Sequence, residues 1–141
     1  ELEKNIFKGF SNLKILSLSG ALRKVPTNEL LSVARTLEEL SLQGNDIKVI
    51  DKNDFTYLKK LNELNLGDNK IREIEIGAFD HIGKKGFLSL WHNKLTTMPR
   101  GLFKKTRFMS FGLGGNHFET ISRSQLGLSR TQVTAGVEEL P

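Results

Sequence analysis

The sequence predicts an α/β-type solenoid in which each coil of the chain contributes one short strand to a single parallel sheet. Three observations carry this. Apolar residues repeat with a period of 24, each period contains an "LxL" core, and asparagine and phenylalanine columns recur at fixed phase within it.

The period is plainest where "LEELSLQGNDIKVIDKNDFTYLKK" (37–60) is set above "LNELNLGDNKIREIEIGAFDHIGK" (61–84). Leu37, Leu40, Leu42, Ile47, Ile50, Phe55 and Leu58 fall over Leu61, Leu64, Leu66, Ile71, Ile74, Phe79 and Ile82. The next copies give Leu88, Leu90, Leu95, Met98 and Phe103, then Phe108, Phe111, Leu113, Phe118, Ile121 and Leu126. Upstream, Leu13, Leu16, Leu18, Leu22, Val25 and Leu31 form an earlier copy, and Phe7 and Phe10 the tail of one before it. Alternation across "LxL" is the period of a strand with one buried face. Every copy is traversed in the same direction, so the strands are parallel and stack ~4.8 Å apart. One coil cannot cover its own apolar side, and stability comes from stacked neighbours.

Two columns follow from that geometry. Phe7, Leu31, Phe55, Phe79 and Phe103 recur every 24 residues, with Leu126 after 23, and are expected to form a continuous spine. Asn45, Asn69, Asn93 and Asn116 follow each "LxL". There a tight turn leaves backbone groups without ladder partners, and a buried amide can satisfy them.

Local departures carry their own expectations. "LKILSLSGALRKVP" lacks the asparagine and is one residue short, so Ser19 to Leu22 turns differently. Lys85 stands where a core leucine is expected, so its stem snorkels or the chain bulges, and a bulge would rotate Phe87 inward. After Leu126 the expected core positions hold Thr131, Thr134 and Gly136.

The pattern LxxLxLxxNxLxxI/V/LxxxxFxxL resembles the leucine-rich repeat family over residues 7 to about 129. The 24-residue copies, with "EIGAF" and "MPRGLF", resemble its typical class, found in Toll-like receptor ectodomains of innate immunity, small leucine-rich proteoglycans and secreted arthropod proteins. The resemblance implies a right-handed horseshoe with its short parallel sheet on the concave face and mostly irregular or 3-10 convex segments. It divides the chain into an array of about five full repeats and a partial first one (1–129) and an irregular tail or non-standard cap (130–141). The family's cysteine-rich caps have no counterpart, because the chain holds no cysteine. The expectation is an excerpt from a longer chain, or a cap formed by "GLSRTQVTAGVEELP". Uncovered terminal coils would invite self-association.

The strand face commonly contacts ligands in this family. Its outward positions read Ile15, Ser17 and Ser19; Glu39, Ser41 and Gln43; Glu63, Asn65, Gly67 and Asp68; Phe87, Ser89, Trp91 and His92; Ser110, Gly112, Gly114 and Gly115. Trp91, the one tryptophan, is expected on that face beside a hollow left by the glycines of the next strand. An exposed indole on a low-relief surface is the composition of an interface anchor. Phe87, His92, Asp68, Asn65, Glu63, Glu39 and Gln43 complete the expected partner-binding set. The alternative is an indole packed on His92, Asp68 or Asn65 that touches no partner.

Charge is unevenly placed. Residues 1–83 hold 12 Lys/Arg against 13 Asp/Glu, residues 84–130 hold 9 against 1, and the last eleven hold only Glu138 and Glu139. Lys59, Lys60, Lys84, Lys85 and Arg107 enter the strands, with Lys104 and Lys105 just before. Stacking would align them along one edge able to hold a polyanionic sugar or anionic lipid heads, with strong salt dependence. A merely solvated edge is the other reading.

Motifs for chemistry are thin. "GLGGNH" contains a G-x-G without a following helix amino-terminus. His81, His92 and His117 sit in different coils and lack metal-ligand spacing. His92 and Asp68 are expected as cross-strand neighbours. No nucleic-acid signature, cofactor motif, apolar membrane-spanning run or N-x-S/T sequon appears. The absence of cysteine leaves the compartment open.

The expected function is therefore a non-enzymatic recognition module whose concave face binds a macromolecular partner, in an extracellular receptor or secreted protein. The alternatives are a structural or accessory subunit stabilising an assembly, and polyanion binding at the lysine edge. Truncating Trp91 is expected to weaken partner binding while leaving the melting temperature nearly unchanged.

Overall fold

A computed structural model describes residues 1–137. In chain order the strands are β1 (Ile15–Ser17), β2 (Glu39–Ser41), β3 (Val49–Ile50), β4 (Glu63–Asn65), β5 (Glu73–Ile74), β6 (Phe87–Ser89), β7 (Ser110–Gly112) and β8 (Val133–Ala135). The five "LxL"-type strands and β8 form one parallel sheet in the order β1-β2-β4-β6-β7-β8. Leu16, Leu40, Leu64, Leu88 and Phe111 lie in one register row, so the repeat in sequence is a repeat in space. The return segments are mostly turns. One carries helix α1 (Thr27–Leu30), which tightens into a 3-10 turn over Leu31–Val33; another carries α2 (Arg123–Leu126). A second, two-stranded parallel sheet pairs β3 with β5 through Ile50 and Ile74, both buried. The whole is a parallel-strand solenoid.

The asparagine column is a ladder in every member. Asn69 Oδ1 accepts from Ile47 N at 3.1 Å, while its Nδ2 donates to Leu42 O at 2.9 Å and Leu66 O at 3.1 Å. Asn45, Asn93 and Asn116 repeat this one coil earlier and later. Each amide thus bonds its own coil and the preceding one. The first coil, which lacks an asparagine, is served by Asn45: Leu22 N donates to its Oδ1 at 3.1 Å, and Leu18 O accepts from its Nδ2 at 2.9 Å.

Phe55, Phe79 and Phe103 stack with centroids 6.2 Å apart at each step, and Phe111 closes on Phe103 at 4.2 Å. Leu126 and Phe7 are buried in line with the expected spine, but Leu31 is not. It is 48% exposed, and Leu30 takes the core position at 1%. The cause is local, since the helical turn from Thr27 points Leu30 and Val33 inward and rotates Leu31 away.

Lys85 is exposed, and the core place it vacates is met from two sides. The chain leaves it through the turn Gly83 to Gly86, with φ of 112° at Gly83, 38° at Lys84 and 67° at Lys85, closed by Gly86 N donating to Gly83 O at 2.6 Å. A Cβ on Gly83 would strike the Phe108 ring, so the buried phenyl occupies the ground the bare backbone leaves. Phe87 nevertheless stays outward, 36% exposed and in register with Glu63 and Ser110.

The segment from residue 130 is not irregular throughout. Val133–Ala135 pairs with β7 in the same register as every other step. Gln132, not Thr131, turns inward, 5% exposed; its Nε2 donates to Phe108 O at 2.9 Å and its Oε1 accepts from Ser129 N at 2.8 Å. Arg123 donates to Ser129 O and Gln132 O, each at 2.6 Å, and ties this coil to α2. Glu138, Glu139 and the rest of the expected tail lie outside the described residues.

Candidate functional site

The outward face of the large sheet gathers the expected partner-binding residues into two rows. At the carboxyl ends of the strands, four polar side chains join in one hydrogen-bonded line. Asn65 Nδ2 donates to Gln43 Oε1 at 3.1 Å, Gln43 Nε2 donates to Asp68 Oδ2 at 2.7 Å, and His92 Nδ1 lies 3.0 Å from Asp68 Oδ1. Asn65 Oδ1 in turn accepts from Gly67 N at 2.9 Å. The bonds from Gln43 and then from His92 hold the Asp68 carboxyl below its ordinary range. Asp68 and His92 occupy the left-handed backbone region, at φ of 51° and 54°, where Gly44 and Gly115 stand in the neighbouring coils. Aspartate and histidine are among the side chains that tolerate it.

Trp91 borders this line, its ring edge-on to His92 with centroids 5.8 Å apart. It is half-buried, and the hollow expected beside it does not exist because the indole fills it. A Cβ on Gly112 would meet the indole Nε1 and Cδ1, one on Gly114 would meet Cζ3 and Cε3, and one on Gly136 would meet Cη2 and Cζ2. The ring therefore lies across bare backbone of the last two strands. Its truncation removes packing from that end of the sheet, so a lowered melting temperature is expected in place of an unchanged one. Glycines at matching outward positions were the signal: the largest neighbouring side chain is the one that can lie over them.

At the amino ends of the strands, Ile15, Glu39, Glu63 and Phe87 are consecutive register partners. They wall a shallow hollow of ≈ 260 Å³ floored by Leu16, Leu40 and Leu64. Ser89, read as outward, is 6% exposed beneath Trp91 and Gly67. Ile15 was read as outward but not as part of the partner-binding set; at 64% exposure it is the most open apolar side chain of this row.

Lys59, Lys60, Lys84, Lys85, Lys104, Lys105 and Arg107 are all exposed on the segments entering the strands. Backbone bonds set adjacent coils side by side there, from Lys85 N to Arg107 O at 2.7 Å and from His81 N to Lys105 O at 2.8 Å. The close contacts of basic with acidic side chains among the described residues, the ion pair of Lys70 with Asp46 and the hydrogen-bonded contact of His92 with Asp68, involve none of the seven. Among the described residues no three metal-ligating side chains converge, and no helix is long and apolar enough to cross a membrane.

Residues 35–84 match the family model described as leucine rich repeat. A comparison with curated proteins returns no match. The family is commonly a protein-interaction module and typically non-enzymatic. The matched segment spans β2 to the approach to β6, and the same register and asparagine ladder continue on both sides of it, which together support a leucine-rich repeat protein.

Proposed function

We propose that the outward face of the six-stranded sheet binds a protein partner, and that the chain serves as a recognition module of an extracellular receptor or secreted protein. In this reading the face is the concave wall of a right-handed horseshoe. The observation that carries it is the line Asn65, Gln43, Asp68, His92, which fixes four polar side chains over three coils before any partner arrives. Groups already immobilised lose less freedom on association. Trp91 adds a stationary aromatic edge beside them.

The test is photo-cross-linking in the extracellular fluid of the source tissue. With p-benzoylphenylalanine at Ser41 or Gln43 on the face, a discrete protein adduct is expected; with the probe at Tyr57 or Ile76 in the return segments, none is expected. Adducts confined to the return segments would instead favour an accessory subunit that binds through its back.

A second reading has its own observation. The left-handed turn at Lys84 and Lys85 holds two lysines away from the core beside Arg107, a disposition suited to a sulfated sugar. Retention on a heparin column that falls with salt, and falls further in Lys84→Ala/Lys85→Ala, is the expected result. Passage without retention removes this reading.

A further inference from the structure

Glu39 and Glu63 are direct register partners on adjacent parallel strands. Like charges so placed oppose each other. Neither carboxylate enters a hydrogen bond or ion pair among the described residues, whereas Asp46 and Asp68 on the same coils are both matched. On either side of the pair, in the same row, stand Ile15 and Phe87, 64% and 36% exposed. The row therefore reads apolar, acidic, acidic, apolar around one hollow.

Its spacing is informative. Strands lie ~4.8 Å apart, so Ile15 and Phe87 are about 14 Å apart and the midpoint of the carboxylates is about 7 Å from each. An extended peptide advances about 6.7 Å for every two residues and presents alternate side chains to one side. Residues i, i+2 and i+4 of an extended segment crossing the strands at right angles thus fall on Ile15, the carboxylate pair and Phe87. From this match we infer that the hollow receives an extended partner segment of the form apolar-x-basic-x-apolar, its cationic side chain seated between Glu39 and Glu63. An arginine suits the place, because its planar fork can offer donors to two carboxylates. This inference rests on the reading of the face as a protein-binding surface and gives that surface a partner chemistry.

Three fluorescent nonapeptides test it by anisotropy on the full chain. One is centred on Leu-Thr-Arg-Thr-Leu, one carries Glu in place of Arg, and one is the shifted Leu-Arg-Thr-Thr-Leu. The first is expected to bind about fivefold or more tighter than the others, the effect of one well-placed ion pair. Glu39→Lys/Glu63→Lys is expected to invert the order between the Arg and Glu peptides, with its thermal melt showing the fold intact. Should that variant fail to fold, Glu39→Gln/Glu63→Gln serves instead and is expected to abolish the difference. Equal affinity of the three peptides, or no binding of any up to about 2 mM, overturns the inference. Face-directed cross-linking at Ser41 separates the two levels: adducts there without peptide discrimination remove only the motif, and loss of both removes the binding face as well.

Discussion

Trp91 and Gly114 share one space: the indole Cζ3 and Cε3 stand where a Cβ on residue 114 would be. The same ring covers Gly112 and Gly136, so one side chain just past β6 pins backbone at the carboxyl ends of the two strands that follow it. An anchor for a partner and a clasp for the terminal coil are here the same group.

Gly112→Ala is expected to destabilise the fold by about 1–3 kcal/mol through overpacking, read from urea unfolding. The three atoms nearest its added methyl belong to the Trp91 and Phe87 rings, those of Trp91 being the closer, so combining it with Trp91→Ala should recover much of the loss. Gly114→Ala should recover less in the same double-mutant cycle, because its methyl would also press on Gly136 O, 2.7 Å away. Additive losses in both cycles would show that the indole does not lie there.

Asn93→Ala leaves Ile71 N without its partner in the buried middle of the array, while Leu66 O and Leu90 O keep the amides of Asn69 and Asn116. One orphaned buried donor costs about 1–3 kcal/mol, so a loss of about that size is expected in chemical denaturation. Asn116→Ala, where the amide is only half-buried, should cost less.

The folded-state value of Asp68 lies below its unfolded one, so this carboxylate favours the fold above the unfolded value. That contribution disappears as pH falls through the depressed folded value. Gln43 is the first cause and His92 the second. In an NMR titration of the Asp68 carboxyl, Gln43→Ala should therefore raise the midpoint more than His92→Ala does. The reverse order would put the histidine first.

The turn from Gly83 to Gly86 holds lysines at two left-handed positions, where Asn-Gly is the favoured pair. Lys84→Asn/Lys85→Gly should stabilise the fold by about 0.5–1 kcal/mol, since relief of left-handed strain outweighs the added freedom of the unfolded glycine. A calorimetric melt checks it, and an unchanged or lowered Tm would contradict the strain.

The strands, the ladder and most of the spine were legible in the sequence because each is set by a residue type at a fixed phase. Leu31 escaped because a column counted in steps of 24 assumes the same turn geometry in every return segment, and α1 with its 3-10 extension breaks that assumption. The sixth strand escaped because Thr134 and Gly136 carry no apolar pattern; its pairing is maintained by Gln132 and Arg123, whose roles depend on contacts with Phe108, Ser129 and α2. On the face, period two placed Gln43 and Asn65, whereas Asp68 and His92 fall out of that phase and reach the same line through left-handed backbone. It said nothing about which neighbour would lie over the glycines, since that is a matter of side-chain volume across strands.

The asparagine ladder also has a direction. Every amide reaches back one coil, with Asn116 bonding Leu90 O and Leu95 N and Asn93 bonding Leu66 O and Ile71 N. Peeling the array from its carboxyl end therefore strips the newly exposed coil of bonds it cannot remake, whereas peeling from its amino end leaves the next amide still bound within its own coil. Amide hydrogen exchange should accordingly be lopsided, and a molecule stretched between its two ends should yield at different forces depending on which terminal turn gives way first.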